Sequence, residues 1–122
     1  MNIKPTEYQL HVSFHQWCRY NWTIGKYIFA IEHGELRNPA VGAKLKKKGV
    51  RSGMADFMLI LPNNFYNNLW IEFKVGKNVQ TESQKIFQQL VDETKGKYVI
   101  CRDLESAIEA VEGYVSNGIL TR

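Results

Sequence analysis

Cysteine and proline are scarce in this chain: two cysteines and three prolines among 122 residues. Cys18 and Cys101 stand too far apart and are too few for a disulfide framework or a four-ligand zinc site, which points to a reduced, cytoplasmic setting. No apolar run approaches the roughly 18 residues that a membrane-spanning helix needs. The opening segment MNIKPTEYQL has no apolar core of the kind a secretory signal carries. Internal repeats, low-complexity tracts and linkers are missing too. What is present, 44% hydrophobic and 23% charged residues, is the make-up of an ordinary globular chain, and the length suits one domain covering residues 1–122.

Acidic residues are absent from one particular stretch. Between Arg37 and Arg51 lie Arg37, Lys44, Lys46, Lys47, Lys48 and Arg51 and no Asp or Glu. An even spread of the 16 basic residues would place about two in such a window. The net charge of +4 is modest, but a basic block set among glycines is the pattern of a surface that contacts phosphates. A solvated face or loop is the bland alternative for the same block.

The hydrophobic pattern predicts the order α-β-β-β-α-β-α. A helix over Thr6 to about Trp22 opens on a capping box, Thr6 with Gln9, and carries Leu10, Phe14 and Trp17 on one stripe, with Val12 and Cys18 beside it. Strands are predicted at Lys26–Ile31, Asp56–Leu61 and Leu69–Val75, the last two forming a hairpin through the asparagine-rich PNNFYNN. The intervening 32–53 segment reads as loop, with a short helix about Ala40–Lys48. A second capping box, Thr81 with Gln84, starts a helix with Ile86, Phe87, Leu90 and Val91 as its apolar face, and Gly96 is expected at its C′ position. Lys97–Cys101 follows as a strand, and Asp103 caps a final helix through Ala107, Ile108, Val111 and Val115. Three strands in a meander and then a helix–strand unit imply an α/β fold: a mixed central sheet flanked by helices.

The chemistry concentrates in two strands. In Ile71-Glu72-Phe73-Lys74, alternation sends Glu72 and Lys74 to one face and Ile71 and Phe73 to the other. Charged groups in a strand this hydrophobic need a partner, because burying one alone costs several kcal/mol. Mutual neutralisation of Glu72 and Lys74 is one answer. Asp56 suggests another, since the hairpin brings it toward Glu72, and two neighbouring carboxylates repel unless a cation lies between them. Hard oxygen donors favour Mg²⁺ or Mn²⁺. Two carboxylates, a dication and a lysine are sufficient for hydrolysing a phosphodiester.

Asp56 followed by Glu72-Phe73-Lys74 resembles the D…(D/E)-x-K signature of the restriction-endonuclease-like nucleases, the PD-(D/E)XK superfamily. Arg37-Asn38-Pro39, Gly42, Lys44-Leu45-Lys46, Gly49-Val50 and Ser52-Gly53-Met54-Ala55-Asp56 are similar to its VRR-NUC branch, as is Thr81-Glu82-Ser83-Gln84 to that branch's glutamine position. The likeness runs from about Glu7 to Ala110, with Ala55 standing where the family usually has proline. It implies a restriction-endonuclease-like core, Asp56 and Glu72 as metal ligands with the Phe73 carbonyl, Lys74 as the catalytic lysine, Glu7 completing the metal site and Gln84 near it. It also implies a Mg²⁺- or Mn²⁺-dependent DNA endonuclease of the stand-alone bacterial or phage type, selective for branched DNA such as Holliday junctions. A homodimer is implied as well, for which Phe65, Tyr66 and Trp70 are candidate contacts. Arg37 and the Lys44–Arg51 cations would hold DNA phosphates. A non-catalytic DNA-binding module and a nuclease subunit active only with a helicase partner are the alternatives.

Three further features read as structure. His11 and His15, four apart, have zinc-binding spacing but lack the intervening acid and a third ligand. His33 is a loop histidine, read as polar surface. Trp17, Tyr20 and Trp22 read as core and interface, not as a base-stacking platform.

Overall fold

The computed structural model describes residues 4–31 and 39–119. Arg37, Asn38 and His33 lie outside them, so the DNA-contact expectation for Arg37 has no structural counterpart. The described elements are α1 (Glu7–Tyr20), α2 (Trp22–Gly25), β1 (Ile28–Ala30), α3 (Pro39–Lys47), β2 (Phe57–Leu59), β3 (Leu69–Phe73), α4 (Glu82–Glu93), β4 (Lys97–Cys101) and α5 (Leu104–Ser116). The expected order holds, with the short helix present as α3 and one unforeseen turn, α2, after α1. None of the described helices is long and apolar enough to cross a membrane.

The four strands form one mixed sheet in the order β1-β2-β3-β4. β1 and β2, and β2 and β3, run antiparallel, while β3 and β4 run parallel with α4 as the crossover. Spacing explains the packing of α1: Leu10, Phe14 and Cys18, each four residues apart, are buried, and Trp17 stacks on Phe14 at 5.9 Å. Together with Ala107, Val111 and Tyr114 of α5 they cover Leu69, Ile71 and Phe73 of β3. Each such side chain removed from water contributes roughly 1.5–3 kcal/mol. Among the described residues α4 packs on the opposite face, through a smaller cluster of Ala55, Val91 and Tyr98 with Trp70 and Phe87 at its margin.

Side-chain hydrogen bonds set the chain's corners. In the β2–β3 connection, Asn63 Oδ1 accepts from the backbone N–H of Phe65 and Tyr66, and Asn63 Nδ2 donates to the Tyr114 carbonyl at 3.0 Å. The Tyr114 hydroxyl donates to the Leu61 carbonyl at 2.6 Å, tying α5 to the same loop. Both predicted capping boxes form: Thr6 with Gln9, and Thr81 with Gln84.

Three expectations need correction. The left-handed residue that ends α4 is Lys95 (φ 62°), not Gly96. Lys95 N–H donates to the Asp92 carbonyl and Gly96 N–H to the Val91 carbonyl, a Schellman closure with Gly96 one place later. Gly96 is required sterically instead, because a Cβ there would run into Asn68 and Val91. Secondly, of the three aromatics read as core and interface, Trp17 packs on the core, whereas Tyr20, ending α1, and Trp22, opening α2, are exposed and take no part in it. Thirdly, of the candidate dimer contacts only Phe65 is exposed: Tyr66 packs on the large core, and Trp70 stacks edge-on against Phe87 at 4.9 Å.

Candidate active site

Asp56 lies just before β2, opposite the end of β3. Its backbone N–H donates to the Ile71 carbonyl at 2.9 Å, continuing the antiparallel ladder by one residue. Its Oδ2 then accepts the Phe73 N–H at 2.7 Å. The side chain thus takes over the acceptor role that the backbone would have filled further along, and this fixes the carboxylate beside Glu72. Asp56, Glu72 and Lys74 are all buried, at 8%, 4% and 8% exposure. That is rare for charged residues and demands mutual compensation.

The compensation is incomplete. Asp56 and Glu72 stand side by side. Burial first, then the neighbouring Asp56 carboxylate, push the Glu72 carboxyl up to about 8; Glu7 adds to the rise and Lys74 opposes it. Lys74 Nζ stands 3.9 Å from Glu72 Oε2, too long for a hydrogen bond. Glu72 Oε1 is buried with no hydrogen-bond partner among the described residues. A crowded acid pair with an orphaned oxygen is what a hard dication relieves, so the donor set fits Mg²⁺ or Mn²⁺. Among the described residues no three His, Cys, Asp or Glu side chains form a complete cage, so such an ion would draw remaining oxygens from backbone, water or phosphate.

These groups open into a cleft of about 370 Å³ lined by Glu7, Tyr8, His11, Asp56, Glu72, Lys74 and Gln84. It lies beyond the carboxyl ends of the parallel strands β3 and β4, where open α/β sheets place their ligands. The first turns of α1 and α4 supply Glu7 and Gln84. Gln84 has two positions to serve at once: its Oε1 accepts the Thr81 N–H at 2.9 Å while its side chain lines the cleft. The structure therefore brings together all five of the predicted catalytic positions, Asp56, Glu72, Lys74, Glu7 and Gln84. Ala55, in place of the usual proline, is fully buried in the small cluster and carries no polar group to the cleft.

His11 belongs to the site, although its spacing to His15 pointed nowhere. Its Nε2 lies 3.4 Å from Asp56 Oδ2, and its ring sits 5.3 Å from Phe57 and 5.4 Å from Phe73. The relevant spacing is the other one: His11 follows Glu7 by four residues and so shares its helix face. His15, a turn further on, lies away with Arg19 and Trp22.

The basic block forms a separate, exposed surface. Lys44, Lys46 and Lys47 occupy the last turn of α3, where cations favour the helix dipole, and Lys48 and Arg51 follow it. Gly53, at φ 92°, ends this segment; a Cβ there would strike the Ser83 backbone, so the basic turn is held tightly against the start of α4.

A mixed four-stranded sheet flanked by helices, with acidic and basic side chains gathered beyond its carboxyl ends, is an α/β fold of the restriction-endonuclease-like kind. A solved structure described as a VRR_NUC domain protein has the same fold, with a TM-score of 0.83 over 96% of this chain and 93% of that one at 20% sequence identity. No family model and no curated protein matches the sequence. The chain thus has the fold of a VRR-NUC domain.

Proposed function

We propose that the whole chain is one nuclease domain, a Mg²⁺- or Mn²⁺-dependent endonuclease that hydrolyses DNA phosphodiesters. The carrying observation is the buried Asp56–Glu72 pair beside Lys74 in an open cleft. Asp56, Glu72 and the Phe73 carbonyl would hold the ion, with Glu7 completing its shell. A dication held there would supply Lewis acidity toward the scissile phosphate and the attacking water.

The protein groups do the rest. The Lys74 ammonium, held at the cleft floor, orients the attacking water and offsets the negative charge that builds on the phosphate. Gln84, rigid through its capping bond, offers its amide toward the same space. Lys44, Lys46, Lys47, Lys48 and Arg51 hold flanking phosphates, contacts that position the strand without reading its sequence. Selectivity for branched DNA follows from shape, and a homodimer sets two sites across symmetric strands.

A cleavage panel of junction, flap, single-stranded and linear duplex DNA with Mn²⁺ tests the reading. Wild-type protein is expected to cut, and Asp56→Asn to lose roughly 10³-fold or more in rate while still binding DNA. Chelation is expected to stop cleavage. If the purified chain leaves every substrate intact with either ion, a non-catalytic DNA-binding module takes the place of this reading.

A further inference from the structure

Beside the catalytic cleft runs a second hollow, a groove of about 470 Å³ between the turn after α3 and the outer flank of α4. Its walls are apolar: Val50 and Met54 on one side, Ile86, Phe87 and Leu90 on the other. Ile86, Leu90 and Val50 are 52%, 41% and 38% exposed, an apolar strip that folding leaves uncovered. Lys46, Arg51, Ser52 and Ser83 complete its lining, the Ser83 hydroxyl lying 3.3 Å from that of Thr81; no acid among the described residues lines it.

Resting on the nuclease reading, we infer that this groove receives the base of an unpaired nucleotide next to the scissile phosphate, which makes DNA carrying unpaired nucleotides the substrate class. The chemistry matches in three parts. Apolar walls suit the flat faces of a base. The serine hydroxyls, which both donate and accept, suit its polar edge. The two cations suit the phosphates on either side. The volume is in the range of pockets that hold small ligands. A base within a duplex has both faces covered by its neighbours and enters a pocket only after unstacking and unpairing at a cost of a few kcal/mol, so an unpaired nucleotide presents its base more readily.

Position supports the same occupant. Ser83 lines the groove and Gln84, the next residue, lines the catalytic cleft, so the two hollows share the first turn of α4. The close approach of Gly53 to Ser83 fixes the basic turn at that junction. A strand whose phosphate reaches Asp56 and Glu72 therefore passes the groove mouth. A second copy of the chain is a poorer occupant, since a two-fold contact through this face would set Lys46 and Arg51 against their own counterparts.

The test uses 2-aminopurine, a fluorescent adenine analogue, placed at successive positions of a single-stranded oligonucleotide and of the same sequence in duplex form, with chelator present so that binding is read without cleavage. The expected result is a fluorescence change at one or two adjacent positions of the single strand and none in the duplex. Leu90→Glu and the milder Ile86→Ser, both at exposed positions, are expected to abolish the change and to lower the ratio of single-strand to duplex affinity about tenfold. An unchanged ratio in both variants, or signals at every position alike, overturns the inference. So does an acidic Glu-Leu repeat peptide that binds the groove more tightly than the oligonucleotide. Fluorescence changes without cleavage under Mn²⁺ would sink the nuclease reading and leave the groove; cleavage with an unaltered ratio would do the reverse.

Discussion

The two faces of the central sheet are built from the same strands and behave oppositely. One face, carrying Leu69, Ile71 and Phe73, is sealed by α1 and α5 with aromatic rings at 4.9–6.0 Å from one another. The other, carrying Trp70, Glu72 and Lys74, has α4 packed on it among the described residues, opens into the cleft that α1 helps to line, and keeps polar atoms in poor company. Glu72 Oε1 is buried there with no hydrogen-bond partner among the described residues. A strand with period two is obliged to serve both faces at once, so β3 spends one face on stability and the other on a strained polar cluster. The stable face holds the strand still, and the strained face benefits from that rigidity.

The comparison breaks most visibly at Phe14, which touches Phe57 and Phe73 edge-on at 4.9 and 5.7 Å. Phe14→Ala is expected to lose about 3–5 kcal/mol in chemical denaturation, with the surviving folded fraction keeping its metal affinity. On the opposite face the sign reverses. Glu72→Gln removes a carboxyl that sits badly in the metal-free protein, so it should unfold at the same or higher denaturant while losing cleavage.

That face also carries a pH signature. The Glu72 carboxyl is raised from its ordinary 4.5 to about 8 in the fold. A raised carboxyl favours the folded state below its unfolded value and ceases to do so as pH climbs through the folded one. Thermal unfolding without metal should therefore show stability declining between about pH 4.5 and about pH 8. Mg²⁺ or Mn²⁺ should recover it at the upper end, and Glu72→Gln should flatten the slope. A wild-type slope equal to that of Glu72→Gln would assign the pH dependence to other groups.

Much of this division was legible in the sequence, and the reasons for the rest are specific. Period-two alternation in Ile71-Glu72-Phe73-Lys74 separates the faces without coordinates, and the capping boxes at Thr6 and Thr81 start α1 and α4 where the structure starts them. The asparagines between β2 and β3 signal a turn, but not that Asn63 also bonds to α5, 51 residues away. Turn α2 was hidden because its one turn leaves no periodic signal. The strands are shorter than predicted because the pattern of a strand outlasts its ladder: Asp56 and Lys74 bond to neighbouring backbone just outside β2 and β3. The Gly96 error came from equating glycine with a left-handed backbone when its need is space. The apolar pattern of α4 groups Ile86, Phe87, Leu90 and Val91 on one face, but only the fold shows that Ile86 and Leu90 stay 52% and 41% exposed beside the groove.

Gly53 joins the strained face to the basic segment, and its substitution is expected to have a smaller effect. Gly53→Ala combines a left-handed backbone with a collision against Ser83 and should cost about 1–3 kcal/mol in a denaturation series. Because the collision falls on the start of α4, cleavage should fall more than stability predicts. A loss confined to stability would mean that the Ser83–Gln84 turn adjusts freely.

The smallest expected effect belongs to His11, the one cleft residue supplied by α1's second turn. Asp56 Oδ2 is already held by the Phe73 N–H, so His11→Ala should leave the fold in place and loosen the carboxylate only on its outer side. If Asp56 holds the proposed ion, a group that braces it in this way is expected to contribute about 10–100-fold, toward the low end because a backbone N–H remains. The loss should appear as a higher metal concentration for half-maximal cleavage, with DNA affinity unchanged, and His11→Gln, which keeps a donor at similar reach, should restore part of it. If instead His11→Ala raises KM for DNA and leaves the metal titration alone, the histidine faces the phosphate and not Asp56. The boundary between the two faces would then lie at Glu7, one turn earlier on α1.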